Sequence, residues 1–116
     1  MRVIAAPSPN CDARGAAVDM LILHYTGMVS GPAALARLRD PAAQVSAHYL
    51  VEEDGRVFAL VDEGLRAWHA GVSHWRGERG LNGRSIGIEV VNPGHEHGYR
   101  PFPPVSYTHL TLPTKA

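Results

Sequence analysis

The sequence predicts a mixed α/β domain, a central β-sheet flanked by helices, on three observations. Residues 20–27, Met-Leu-Ile-Leu-His-Tyr-Thr-Gly, run four apolar residues into a histidine and a small polar turn, the pattern of a buried strand. Residues 45–61 hold two apolar runs joined by Glu53-Asp54-Gly55, a hairpin signal. Residues 85–91, Ser-Ile-Gly-Ile-Glu-Val-Val, are a near-continuous apolar strand broken by one carboxylate. A helical pattern lies between the first two, so strands and helices must share one core.

The elements follow in order. Pro7-Ser8-Pro9-Asn10 and Asp12-Ala13-Arg14-Gly15 are so dense in turn formers that an irregular arm is expected. The next strand ends by pushing His24 into the rim of the sheet, beside Tyr25 and Thr26. Ser30-Gly31-Pro32 then supplies an N-cap and an early proline, and residues 33–39 place Leu35 and Leu38 on one helical face before Asp40-Pro41. Residues 45–51 alternate as a strand, and residues 56–61 return as its partner. Leu-Arg-Ala-Trp-His-Ala-Gly at 65–71 is apolar and aromatic but short. Residues 72–84 make a long polar loop punctuated by glycine, the kind of segment that carries function.

Composition narrows the function classes. A chain of 116 residues is one domain, long enough to bury about two thirds of its unfolded surface. Eleven basic and eleven acidic residues cancel, and no basic stripe is interleaved with aromatics, which argues against nucleic acid as a partner. The single cysteine, Cys11, forms no internal disulfide and no Cys-x-x-Cys site, so any metal must be held by histidine and carboxylate. The apolar run at residues 3–6 is too short for a signal peptide, and nothing later could span a bilayer. The expectation is a soluble protein of the cytoplasm, with attachment to the envelope as the alternative.

Chemistry concentrates at a few side chains. A glutamate inside an apolar strand is costly to bury unless paired or working, so Glu89 is either catalytic or a solvent-facing residue of a half-exposed strand. His24 is either a ligand or a hydrogen-bonded residue at a strand end. Together with Trp68 and His69 they supply the parts of a zinc hydrolase cleft: neutral imidazole, a place for water, and a carboxylate to take its proton. His48 reads as a histidine hydrogen-bonded within the sheet, and His69 as a residue that contacts substrate or orients the site. His74, His95 and His97 are expected in solvent; the His95-Glu96-His97 spacing on a glycine-flanked loop is a weak metal signal.

Four segments in order resemble the zinc-dependent N-acetylmuramoyl-L-alanine amidases of the type 2 group, related to peptidoglycan recognition proteins. They are Leu-Ile-Leu-His-Tyr-Thr-Gly at 21–27, Val-Ser-Ala-His-Tyr-Leu-Val at 45–51, Ala-Trp-His-Ala-Gly-Val-Ser at 67–73 with Trp75-Arg76-Gly77, and Asn82 with Ser-Ile-Gly-Ile-Glu at 85–89. The likeness extends over residues 8–103. It implies that His24 is the first zinc ligand, that Glu89 is the catalytic glutamate, and that Trp68, His69, Asn82 and Tyr25 lie near the substrate. The implied reaction is hydrolysis of the amide joining N-acetylmuramic acid to L-alanine, in peptidoglycan or muropeptides, by a zinc-bound water. The family continues into a long helix, a strand with a second histidine ligand and a loop with a third ligand. None of these is legible here, so the amidase domain is expected to be incomplete past residue 104. Residues 105–116 resemble the translation of a sequencing adapter, and His109 is not assigned a role. On this reading the chain binds zinc poorly and is inactive by itself, or acts as a non-catalytic peptidoglycan-binding domain.

Overall fold

The structure, a computed structural model, describes residues 3–28, 30–69, 74–75, 78–79 and 81–92. Its elements are β1 (Val3–Ala5), β2 (Cys11–Ala13), β3 (Met20–Tyr25), α1 (Gly31–Arg39), β4 (Tyr49–Val51), β5 (Val57–Ala59), β6 (Leu65–Ala67), β7 (His74–Trp75), β8 (Glu78–Arg79) and β9 (Ser85–Val90). Single 3-10 turns occupy Pro41–Ala43 and Leu81–Arg84. Among the described residues no helix is long and apolar enough to cross a membrane.

The main sheet has five strands in the order β1-β5-β4-β9-β3. It is mixed: β4 and β5 form the antiparallel hairpin, while β1 joins β5, β9 joins β4 and β3 joins β9 in parallel. The turn of the hairpin needs Gly55, whose φ of 94° is open to glycine at no steric cost. Side chains in register share a face, so His24, Glu89, Leu50, Phe58 and Ile4 point to one side. On that side α1 is packed, and Ala34, Leu38, Leu50, Phe58, Leu60 and Val91 form the core. The Ser30 hydroxyl caps α1 by accepting from the Ala33 amide at 3.2 Å, as its sequence position implies.

Three expectations are corrected. The arm at 7–15 is not irregular throughout: β1 continues into a ladder from Ala6 N–H to the Ala59 carbonyl, and β2 pairs antiparallel with β6. Strands elsewhere in the chain supply partners that local turn propensity cannot reveal. The strand at 20–25 is not buried on both faces: Leu21, Leu23 and Tyr25, which alternation turns away from the face of His24, are 55%, 53% and 52% exposed. Residues 45–48 leave the strand pattern: the Ser46 N–H donates to the Trp68 carbonyl, the Trp68 N–H donates back to the Ser46 hydroxyl, and the His48 N–H donates to the Gly87 carbonyl.

Candidate active site

The site is built where β3 and β9 run side by side. Their register pairs His24 with Glu89, which puts imidazole and carboxylate on the same face of adjacent strands. His69, just past β6, reaches across to them: its Nδ1 lies 3.1 Å from His24 Nε2, with the two rings edge to face at 68°. A cleft of about 350 Å³ opens here, lined by Thr26, Met28, Arg37, Trp68, His69 and Glu89 among others.

His69 is held from three sides. Its backbone N–H donates to Asn82 Oδ1 at 3.0 Å, and its Nε2 lies 2.9 Å from the hydroxyl of the fully buried Ser85. Its ring lies directly on Gly87, where any Cβ would stand 2.3 Å from His69 Cγ. Burial first, and then the neighbouring His24, push His69 down to about 4, so the ring is neutral at physiological pH. Burial also lowers His24.

Glu89 stands in the opposite condition. Burial pushes its carboxyl up to about 7, and Oε2 is buried without a hydrogen-bond partner among the described residues. It is therefore not the solvent-facing residue of a half-exposed strand. An orphaned carboxylate oxygen in a cleft wall is costly, and such groups mark working sites.

His48 has a purely architectural setting. It is completely buried; Nδ1 accepts from the Gly87 amide at 3.0 Å, and Nε2 donates to the Leu65 carbonyl at 2.9 Å. Arg14 converges on the same carbonyl, so its 2.9 Å approach to His48 Nε2 is a contact between two donors and not a hydrogen bond. The Arg14 guanidinium also donates to the carbonyls of Glu63 and Ser85, at 2.7 and 2.9 Å for the shortest contacts, tying β6 to the start of β9.

Of the residues expected at the site, His24, Trp68, His69, Asn82 and Glu89 are brought together. Tyr25 is not, because strand alternation turns it to the face away from His24 and Glu89. Asn82 holds His69, and the Trp68 backbone is clamped by Ser46. His95, His97 and His109 lie outside the described residues, as do residues 72–73, 76–77 and 80 of the loop at 72–84. Sequence reasoning missed Arg14, Ser85 and Gly87. Of these only Gly87 left a signal, since a glycine within a strand marks close approach by another group.

The described residues contain no group of three or more His, Cys, Asp or Glu placed to share a metal ion. They offer one imidazole, His24, in register with a carboxylate whose outer oxygen is unbonded. That is one of the three protein ligands that a catalytic zinc site uses.

The sequence profile of Amidase_2, the N-acetylmuramoyl-L-alanine amidases, matches residues 14–115. The chain belongs to this amidase family. Escherichia coli K12 AmiD, an N-acetylmuramoyl-L-alanine amidase, is 40% identical over 99 residues, covering 75% of this chain and 35% of AmiD. The 1,6-anhydro-N-acetylmuramyl-L-alanine amidase AmpD of the same organism is 36% identical over 103 residues, covering 72% of this chain and 56% of AmpD. The chain thus spans between about a third and a half of these curated relatives. Among solved structures, a selenomethionine AmpD derivative matches with a TM-score of 0.78 at 30% identity, over 93% of this amidase-family chain and 69% of the other. Escherichia coli AmiD in complex with the substrate anhydro-N-acetylmuramic acid-L-Ala-D-gamma-Glu-L-Lys matches with a TM-score of 0.66 at 37% identity, over 90% and 42%. The mixed sheet with its helix on the site face is the fold of these amidases.

Proposed function

We propose that this domain hydrolyses the amide between N-acetylmuramic acid and L-alanine in peptidoglycan or muropeptides, with Glu89 as general base. The observation that carries the reading is Glu89 itself: a buried carboxyl in the cleft wall, pushed up to about 7, with Oε2 unbonded among the described residues. A base of that strength takes a proton from water near neutral pH and can return it to the leaving amine. His24, a neutral imidazole in register with Glu89, is the first ligand of the zinc ion we assign to the site. The other ligands come from outside the described residues. When bound, zinc supplies the Lewis acid that polarises the scissile carbonyl. Trp68, His69 and Asn82 border the substrate, and His69 also orients His24. The substrate named for the AmiD complex supports a muropeptide as the ligand.

A second reading, a domain that binds muropeptide without cutting it, is favoured by the lack, among the described residues, of three His, Cys, Asp or Glu side chains placed to share a metal ion. One assay separates the two. Zinc-supplemented protein is incubated with an N-acetylmuramoyl-L-alanyl peptide, and both released stem peptide and retained ligand are measured by mass spectrometry. Cleavage that Glu89→Gln lowers by about 100-fold or more supports the amidase. Binding without cleavage supports the second reading, and the absence of both sinks the two together.

A further inference from the structure

The hydrogens around His69 are determined by one fixed acceptor. The Leu81 carbonyl can only accept, and it lies 2.7 Å from Ser85 Oγ, so the Ser85 hydroxyl must donate to it. A hydroxyl has one proton, and Ser85 therefore faces His69 Nε2, 2.9 Å away, with a lone pair. His69 must then be the donor, through Nε2–H. A neutral imidazole carries one proton, which leaves His69 Nδ1 bare where it meets His24 Nε2 at 3.1 Å. The donor in that contact is His24.

We propose that Ser85 and His69 form a positioning relay that holds His24 as the Nε2–H tautomer, leaving Nδ1 as its only lone pair. Neither residue needs to touch substrate for this. The relay starts from a backbone carbonyl in the 3-10 turn and passes through a side chain with no exposed surface, so it cannot be reset by solvent. Gly87 is part of it by subtraction, because any side chain there would lift the His69 ring from its place. The proposal rests on the amidase reading only for what Nδ1 would bind; the tautomer itself follows from the contacts. Histidine ligands are commonly fixed by a hydrogen bond at the nitrogen that does not bind, and here that bond is made by a second histidine.

The test is a long-range ¹⁵N–¹H correlation spectrum of the histidine rings in the full, metal-free chain at neutral pH. Both His24 and His69 are expected to appear as single Nε2–H tautomers. Ser85→Ala removes the acceptor for His69 Nε2–H and is expected to turn both rings into tautomer mixtures. Ser85→Thr, which keeps the hydroxyl, is expected to restore them. His24 found as the Nδ1–H tautomer in the unmodified chain overturns the relay, and this reading stands even if Ser85→Ala does not fold. A folded Ser85→Ala with both tautomers unchanged overturns it as well. No substrate is present, so a chain with the expected tautomers but no amidase activity counts against the proposed function alone.

Discussion

Burying Glu89 has a thermodynamic signature that can be read without substrate. Its carboxyl rises from 4.5 to about 7 on folding because burial disfavours the charged form. Below pH 4.5 the side chain is neutral in both folded and unfolded chains and costs nothing. Between 4.5 and about 7 only the unfolded chain ionises, so stability falls as pH rises, and above 7 the full penalty applies. The shift corresponds to about 3 kcal/mol. In metal-free protein Glu89→Gln is therefore expected to be close to neutral at pH 4 and to stabilise by up to about 3 kcal/mol at pH 8, measured by urea unfolding. A penalty of the same size at both pH values would disprove the burial argument. Gly87→Ala tests the neighbouring position on the same face of β9. Its Cβ would press into the His69 ring, and overpacking of this kind costs about 2 kcal/mol. The expected result is a lower urea midpoint together with altered His69 and His24 ring signals; unchanged ring signals would show that His69 does not rest there.

At the scale of elements, the short segments are held by side chains that a periodicity reading passes over. Asn10 is buried and donates through its amide to the carbonyls of Asp40 and Val45 at 2.9 and 2.8 Å, joining the N-terminal segment to the end of α1 and the entry to β4. Asn10→Ala strands both carbonyls, and a loss of about 2 kcal/mol is expected in equilibrium unfolding. A change within a few tenths would mean that water replaces the amide freely. The same residue shows why the arm was illegible: Pro7, Pro9 and Asn10 have turn chemistry, and what orders them lies 30 or more residues away. The long signals were legible because each is local. Leucine and isoleucine preceding His24, the Ser30 cap and Gly55 in the hairpin turn all act within one element: β3 and α1 form where the sequence places them, and the hairpin forms around its expected turn with strands shortened to 49–51 and 57–59. Glu89 was visible as a carboxylate in an apolar run. That His69 would touch His24 was not, because the contact spans 45 positions and depends on the glycine beneath it.

For the whole molecule, the two faces of the sheet have different fates. The side with His24 and Glu89 carries α1 and the larger core cluster, while the other side buries Val51, Val57 and Val90 but leaves Leu21, Leu23 and Tyr25 as an exposed apolar row. A contiguous apolar row on a surface promotes self-association. Replacing it with Leu21→Lys and Leu23→Thr is expected to raise the soluble yield and leave the melting temperature within a few degrees; a collapse of thermal stability would instead reveal these residues as core. Arg14 has a consequence in time. It gathers carbonyls from residues 63–65 and 82–85, separated from it by 49 to 71 positions, and loops of that length close slowly. A ribosome releasing this chain from its N-terminus delivers Arg14 early and its last partner, Ser85, late. The cleft is thus among the final parts to assemble, and a nascent chain has no formed cleft before its β9 segment has emerged.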